Sequence, residues 1–266
     1  MTASETFGRI QVTCRGHLGV VPYERHVPTL LPEGVLQKPT TAGPKRAVAA
    51  SAIRHVLFDA DGVLQVVPDG DWYALVEPYV GDRAREFLHR AWELERPTLA
   101  GDGELLPLLA GLLEEYDVTA SADEVFAAAW CRLDAVPETL AVARALRRNG
   151  YGIHLGTNQD AGRAAYLRST FGYDALFDTS CYSCELGVAK PDPAFFVEAA
   201  RRIGAPPHEI LFVDDTAANV EGAGAAGLAA FRWSVDDGQD VLLDLLARHG
   251  VDGRATALAT EAGGRP

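Results

Sequence analysis

The sequence has no apolar run close to the ~20 residues that span a bilayer, and its first residues lack the basic segment and apolar core of a secretory signal. We therefore expect a cytoplasmic protein without a membrane partner. Cations are also scarce, with 24 Lys and Arg against 37 Asp and Glu and a formal net charge of -13. Because affinity for nucleic-acid backbones comes mainly from clustered Lys and Arg, this balance argues against nucleic acid as a partner.

Cysteine is the next residue in short supply. The four cysteines (Cys14, Cys131, Cys181 and Cys184) are too few and too scattered for a disulfide scaffold in a chain of 266 residues. We interpret them as reduced thiols. Cys181 and Cys184 have the spacing of a redox or zinc pair, but no second pair accompanies them, and we assign them no function.

The composition that is present is typical of a globular protein with a sizeable core, with 48% hydrophobic and 23% charged residues. Residues 1–50 stand apart, since they hold five of the 15 prolines and no Asp. We predict an irregular N-terminal extension there. The remaining boundaries that we predict are a core of residues 51–66 and 136–250, a helical cap of residues 67–135, and a flexible tail of residues 251–266.

From residue 54 onward, short apolar runs alternate with helical patterns, which indicates a mainly parallel sheet covered on both faces. The predicted strands are 56–58, 153–155, 176–177, 210–213 and 228–231. The predicted helices between them are 138–148, 160–171, 192–203 and 216–226. The fold class is therefore α/β, a doubly wound, Rossmann-like parallel sheet.

About 70 residues after the first strand interrupt this rhythm. They show helical spacing over 83–95, 104–116 and 122–133 and no convincing strand, which predicts a small α-helical cap inserted after the first strand. We interpret the aromatic and cationic side chains of this segment as packing groups rather than substrate contacts: Trp72, His89, Arg90, Trp92, Arg96 and Trp130.

Two pairs of carboxylates follow predicted strands. Asp59 and Asp61 come directly after the first strand, and Asp214 and Asp215 come directly after the fourth. Ligands of open α/β sheets bind at the carboxyl ends of the strands, so neighbouring strands would gather all four carboxylates in one small volume. Such a cluster needs a cation, and oxygen ligands without nearby His or Cys favour Mg²⁺ over zinc.

Two further segments could hold phosphate oxygens. Thr157 and Asn158 follow the second strand and supply a hydroxyl and main-chain amides. Lys190 lies in the run Lys-Pro-Asp-Pro just before a helix, where it supplies a cation. Asn219, one helical turn beyond Asp215, is a candidate to support metal-bound water, with a plain helix-surface role as the alternative.

These four segments, in this order, resemble the four signature motifs of the haloacid dehalogenase superfamily. The resemblance covers residues 54 to about 235, and the helical insertion corresponds to the cap of the first type, found in subfamily I. Aspartate-x-aspartate alone is common by chance, whereas its combination with the other three motifs at suitable intervals is specific.

The resemblance implies a role for each motif residue. Asp59 is the expected nucleophile that forms an aspartyl-phosphate, and Asp61 the general acid and base. Thr157, Asn158 and Lys190 would bind the phosphoryl group. The expected Mg²⁺ ligands are an oxygen of Asp59, the main-chain carbonyl of Asp61 and Asp215, with Asp214 next to that set.

The expected reaction is hydrolysis of a small phosphorylated metabolite. Dehalogenases of the superfamily lack the second aspartate, so Asp61 argues against dehalogenation. Two alternatives stay open. One is a sugar phosphomutase or phosphotransferase of the same superfamily, although the cap motif we associate with mutases is not visible around residues 71–74. The other is a non-catalytic phosphate-binding regulatory module, since fold does not fix function.

Overall fold

The computed structural model describes residues 53–254 and places a five-stranded parallel sheet at their centre. The strands of this sheet are β1 (His55–Phe58), β4 (Gly152–Thr157), β5 (Thr179–Tyr182), β6 (Ile210–Asp214) and β7 (Ala229–Arg232). Their spatial order is β5-β4-β1-β6-β7, so the first strand lies in the middle. The predicted doubly wound α/β class is confirmed.

The middle strands are mostly apolar because helices cover both faces of the sheet. Val56, Leu57 and Phe58 of β1 are fully buried, and so is every residue of β6. Such strands lack the alternation of polar and apolar residues that one-sided sheets show. This is why short continuous apolar runs were the correct signal for β1, β4 and β6.

The third predicted strand, 176–177, is wrong. Leu176 ends helix α7 (Tyr173–Leu176), and the amide of Phe177 donates to the carbonyl of Tyr173 to close that helix. The strand is instead the more polar Thr179–Tyr182 at the edge of the sheet. Leu176 and Phe177 are apolar because they pack into the core beneath the sheet.

The four helices predicted for the core are present as α5 (Pro137–Arg148), α6 (Ala161–Phe171), α9 (Pro193–Ile203) and α10 (Ala217–Ala225). The described residues add α7, α8 (Ser183–Leu186) and α11 (Gln239–Arg248). Asp160 caps α6 by accepting from the amides of Gly162 and Arg163. Asp192 caps α9, whose first residue is Pro193.

Four helices occupy the insertion between β1 and α5. They are α1 (Trp72–Val80), α2 (Ala84–Leu99), α3 (Leu105–Glu115) and α4 (Ala122–Ala129), and α1 had not been predicted. Their apolar faces form a cluster of their own that includes Phe87, Leu109, Val125 and Trp130. We call this four-helix unit the cap.

Two short strands that the sequence did not predict lie where the chain leaves and re-enters the core. β2 (Gln65–Val66) pairs antiparallel with β3 (Asp134–Ala135). A two-residue strand carries no periodicity, which is why pattern analysis missed both. β2 directly precedes the segment 67–135 that we assigned to the cap, and β3 forms the last two residues of that segment.

The predicted N-terminal extension of residues 1–50 lies outside the described residues, as does most of the predicted tail of residues 251–266. Val251, at the start of the predicted tail, is buried against the core. Among residues 53–254, no helix is both long and apolar enough to cross a membrane.

Candidate active site

The predicted site residues meet at the carboxyl edge of the sheet. Phe58 of β1 is in register with Leu155 of β4 on one side and with Val213 of β6 on the other. The residues that follow these positions therefore emerge side by side. This register brings Asp59 between Thr157 and Asp214, although the three are far apart in the sequence.

Lys190 is the cation at the centre of the first group of side chains. Its Nζ lies 2.8 Å from Oδ1 of Asp59 and 2.7 Å from Oδ2 of Asp214. Burial alone would lower the pKa of Lys190, but the two carboxylates outweigh it, so the pKa lies above its ordinary value. Lys190 is therefore a buried ammonium ion. We call Asp59, Lys190, Asp214 and Asp215 the lysine cluster.

The main chain of Lys190 is held by the side chain of Asn158. The Asn158 amide nitrogen donates to the carbonyl of Lys190 at 2.9 Å, and its oxygen accepts from the amide of Lys190 at 2.9 Å. On the other side, Gly222 of α10 packs directly on the carbonyl of Pro191. The side chain of Asn158, which we had expected to bind substrate, is thus used to position Lys190.

The carboxylates of the lysine cluster are close enough to share a cation. One oxygen from each of Asp59, Asp214 and Asp215 lies within 4.8 Å of the others. Burial and the neighbouring Asp214 raise the pKa of Asp59 well above its ordinary value, against the opposing effect of Lys190. Three carboxylates around one ammonium leave an excess of negative charge that a divalent cation would balance.

Within the cluster, Asp214 and Asp215 have different surroundings. Asp214 is fully buried, and its oxygens accept from Lys190, from the amide of Thr216 and from the side chain of Asn219. Asp215 accepts from the hydroxyl of Thr216, and its Oδ2 lies against the backbone at Gly62. Asp214 therefore anchors Lys190, and Asp215 is the more open carboxylate.

Gly62 is required by this arrangement. Its φ of +73° is in the left-handed region, and a Cβ there would lie 2.6 Å from Oδ2 of Asp215. The loop after Asp61 can approach Asp215 this closely only because residue 62 has no side chain.

Asp61 points to a second group of partners. Arg163 of α6 donates to both oxygens of Asp61, at 2.9 Å and 2.8 Å. The amide nitrogens of Gln65 and Gln159 donate to the same carboxylate at 2.9 Å and 3.0 Å. We call Asp61, Gln65, Gln159 and Arg163 the arginine cluster. The Asp61 side chain is not one of the three carboxylates whose oxygens lie within 4.8 Å of one another, and its main-chain carbonyl stays the predicted ligand.

Thr157 lies between the two clusters. It is buried, and its hydroxyl oxygen accepts from the amide nitrogen of Gln159 at 2.9 Å. The same Gln159 group donates to Asp61. A single amide therefore joins the predicted phosphate-binding hydroxyl to the predicted acid–base carboxylate.

Sequence reasoning missed Arg163, Gln65 and Gln159. Gln159 and Arg163 lie just after the second motif, in the N-cap region and first turn of α6 at the carboxyl edge of the sheet. A charged side chain in the first turn of a helix at this edge is a signal that could have found Arg163. Gln65 lies in β2, which had no signal of its own.

The structure describes three of the four cysteines, and Cys14 lies outside the described residues. Cys131, Cys181 and Cys184 are free thiols, and burial raises the pKa of Cys181 to about 12.

Of the cap side chains interpreted as packing groups, Trp72 and Trp130 do pack, whereas His89, Arg90 and Arg96 are exposed. Trp130 stacks on Phe126 within the cap. The ring of Trp72 lies under the guanidinium of Arg163, 5.4 Å from it.

Comparison with curated proteins finds relatives of this chain that are similar in sequence. A glyceraldehyde 3-phosphate phosphatase from Methanopyrus kandleri is 32% identical over 97 residues, 36% of this chain and 42% of the relative. The chain thus spans less than half the length of that protein. A phosphoglycolate phosphatase from Pseudomonas aeruginosa is 28% identical over 208 residues, 71% of this chain and 72% of the relative.

The fold has solved counterparts. A haloacid dehalogenase family enzyme from Bacteroides thetaiotaomicron superimposes with a TM-score of 0.63 at 20% identity, over 72% of this chain and 99% of that one. The Bacteroides enzyme has also been solved in complex with magnesium and inorganic phosphate. At this level of identity the likeness shows the fold.

A family model describes the region that carries both clusters. The model for haloacid dehalogenase-like hydrolases matches residues 53–227, which include β1, the cap, β4, β6 and all four motifs. With this match over more than half of its length, the chain belongs to the haloacid dehalogenase-like hydrolase family.

Proposed function

We propose that the chain is a Mg²⁺-dependent phosphatase that cleaves a small phosphomonoester through an aspartyl-phosphate on Asp59. The observation that carries this proposal is the lysine cluster, in which a buried ammonium ion bridges Asp59 and Asp214 at the carboxyl edge of the sheet. Phosphoryl transfer is catalysed mainly by positioning and by neutralising charge, which is what this cluster offers.

The donor set fits Mg²⁺. Asp59, Asp215 and the main-chain carbonyl of Asp61 would hold the ion, with Asp214 beside them, and all of these donors are oxygens. When bound, Mg²⁺ supplies positive charge to the phosphoryl oxygens. The magnesium and phosphate bound by the Bacteroides enzyme of the same fold support this choice.

The proposed reaction has two steps, and each site residue has a defined role in them. An oxygen of Asp59 forms a bond to phosphorus as the bond from phosphorus to the leaving oxygen breaks, and Asp61 gives that oxygen a proton. Asp61 then takes a proton from water, whose oxygen attacks the aspartyl-phosphate and restores Asp59. Lys190 and Thr157 hold the phosphoryl group. The phosphatases named among the relatives support a small phosphorylated metabolite as substrate.

The test is phosphate release from 4-nitrophenyl phosphate and a panel of metabolite phosphates, with and without Mg²⁺. We expect Mg²⁺-dependent release by the native chain and a loss of at least ~10⁴-fold in Asp59→Asn, because the nucleophile is removed. Asp240→Asn, an exposed carboxylate in the first turn of α11, is the control and should match the native rate.

Three outcomes would contradict the proposal. Release that is unchanged in Asp59→Asn would rule out an aspartyl-phosphate on this residue. A native chain that binds phosphate esters without turning any over would instead be a phosphate-binding module. Phosphate found on a second sugar hydroxyl rather than in solution would identify a phosphotransferase.

A further inference from the structure

The carboxylate of Asp61 is fixed by four donors. Oδ1 accepts from Gln65 and from one terminal nitrogen of Arg163, at 2.9 Å and 2.8 Å. Oδ2 accepts from Gln159 and from the other terminal nitrogen of Arg163, at 3.0 Å and 2.9 Å. Two parallel N–H···O bonds from one guanidinium fix the plane of the carboxylate as well as its position. Asp61 therefore has one orientation in this structure.

Arg163 is itself fixed from the cap side. Its Nε donates to the main-chain carbonyl of Trp130 at 2.8 Å, at the end of the cap helix α4, where the chain starts back toward the core. The ring of Trp72, at the start of the cap, lies under the guanidinium. The side chain is 7% exposed, so the cation is almost completely removed from water.

The backbone of Arg163 adds to this rigidity. Its main-chain amide donates to the side chain of the N-cap residue Asp160, which holds Arg163 in the first turn of the core helix α6. The side chain of Arg163 thus extends from a core helix, binds the carboxylate of Asp61 and donates to a main-chain carbonyl of the cap. A lysine could not do the same, since it lacks the planar fork that binds two oxygens and a third acceptor at once.

We propose that Arg163 is the positioning residue for the acid–base step, holding the Asp61 carboxylate where it can reach the leaving oxygen and making that placement depend on the cap. The inference rests on the proposed phosphatase function. It assigns Arg163 no contact with the phosphoryl group, since the three side-chain hydrogen bonds that Arg163 donates in the structure go to Asp61 and Trp130.

If Arg163 acts through Asp61, replacing Arg163 should slow some substrates more than others, according to the basicity of the leaving oxygen. Protonation of the leaving oxygen matters most when that oxygen is strongly basic, as in an alkyl phosphate, and least for a nitrophenolate. A merely structural loss would lower turnover of both to the same extent. The dependence of kcat/KM on the leaving group therefore separates the two roles, because kcat/KM reports the step in which the leaving oxygen departs.

The experiment compares kcat/KM for 4-nitrophenyl phosphate, phenyl phosphate and glycerol phosphate with Mg²⁺ present. We expect Arg163→Ala to lose about 100-fold on glycerol phosphate and less than about 10-fold on 4-nitrophenyl phosphate. Arg163→Lys should fall between the native chain and Arg163→Ala. The control is Arg168→Ala on the same helix, which removes ion pairs to Asp174 and Glu185 and should leave the pattern unchanged.

A double variant sharpens the test. In an Asp61→Asn background, Arg163→Ala should lower kcat/KM no further, because the group on which it acts is already gone. Equal losses on all three esters, or losses that add to those of Asp61→Asn, would overturn the inference while leaving the phosphatase function intact. A native chain that hydrolyses none of the esters would overturn both the inference and the proposed phosphatase function.

Thermal unfolding shows whether each variant is folded. If Arg163→Ala is not, Arg163→Lys carries the comparison, since it keeps the positive charge and loses only the fork. A folded Arg163→Lys with native kcat/KM on glycerol phosphate would contradict the inference.

Discussion

The lysine cluster and the arginine cluster begin two residues apart and differ in charge balance. In the lysine cluster, three carboxylates lie close together with one ammonium ion, which pairs with two of them. In the arginine cluster, one carboxylate is matched by one guanidinium and two neutral amides. The first is short of positive charge and suits a metal ion, whereas the second is already balanced.

This difference supports the separate roles that we propose for two carboxylates on the same loop. Asp59 is buried beside the point charge of Lys190. Asp61 is oriented by a planar fork and has a side chain 36% exposed. Surroundings, rather than residue type, distinguish a nucleophile from an acid–base group.

The strongest way to break the lysine cluster is Lys190→Ala. We expect turnover to fall by at least ~10³-fold, because the cation that faces Asp59 is lost. The free energy of unfolding should fall by about 3–5 kcal/mol, since Asp59 and Asp214 remain buried without their partner. Kinetics and denaturant unfolding measure the two effects.

The control for Lys190→Ala is Arg147→Ala, which breaks the exposed pair between Arg147 and Asp178. It should cost at most about 1 kcal/mol and leave turnover unchanged. A Lys190→Ala variant that keeps a tenth of native turnover would contradict the role given to the lysine cluster.

Gly62→Ala tests the contact between the loop and Asp215. The added Cβ would push the Asp215 carboxylate away, and we expect turnover to fall by ~100-fold while the Mg²⁺ concentration for half-maximal activity rises. Gly81→Ala is the matched control. Gly81 also has a positive φ, +61°, but a Cβ there would meet nothing within 4 Å.

Both glycine variants should lose about 1–3 kcal/mol of stability from backbone strain. Only Gly62→Ala should change the response to Mg²⁺. An unchanged Mg²⁺ dependence in Gly62→Ala would argue that Asp215 does not hold the ion.

Glu95→Gln tests the cap side of the arginine cluster. Glu95 is buried in α2 and accepts from the indole of Trp130 at 3.1 Å, and burial raises its pKa to about 7 against the opposing charge of Arg163. The folded chain keeps this proton up to about pH 7, whereas the unfolded chain loses it near 4.5. Stability from this group is therefore lost as pH rises from about 4.5 to about 7.

Denaturant unfolding at pH 5 and pH 8 measures this loss. Between the two pH values, the stability of the native chain relative to Glu95→Gln should fall by about 2 to 3 kcal/mol. Glu93→Gln, an exposed neighbour on the same helix, should show no such difference. Parallel pH profiles for native and Glu95→Gln would refute the prediction.

The smallest expected effect is that of Asn219→Ala, which removes a donor to both oxygens of Asp214 at 3.0 Å and 3.1 Å. We expect a loss of about 1–2 kcal/mol in stability and less than ~10-fold in turnover, because Lys190 and the amide of Thr216 still hold Asp214. Glu221→Ala, on the exposed side of α10, is the control. A loss as large as that of Lys190→Ala would place Asn219 in direct contact with the ion or substrate.

Strands and helices were predicted correctly where the signal in the sequence was local and strong. β1 and β6 are continuous apolar runs that end in carboxylates, and α9 opens with Asp192 and Pro193 as caps. Pattern analysis failed at the edge strand Thr179–Tyr182, whose polar residues look like a turn. It also missed α1, which contains Pro78, a residue that usually argues against a helix interior.

The sequence alone determined that Asp59, Thr157 and Asp214 would lie at one edge, because parallel strands in one sheet end at the same edge whatever the chain does between them. Only the tertiary structure decided their partners. Arg163 reaches Asp61 from 102 residues away, and Asn158 holds Lys190 from 32 residues away. Such pairings depend on the directions of individual side chains in packed helices and loops, and residue spacing along the chain does not encode those directions.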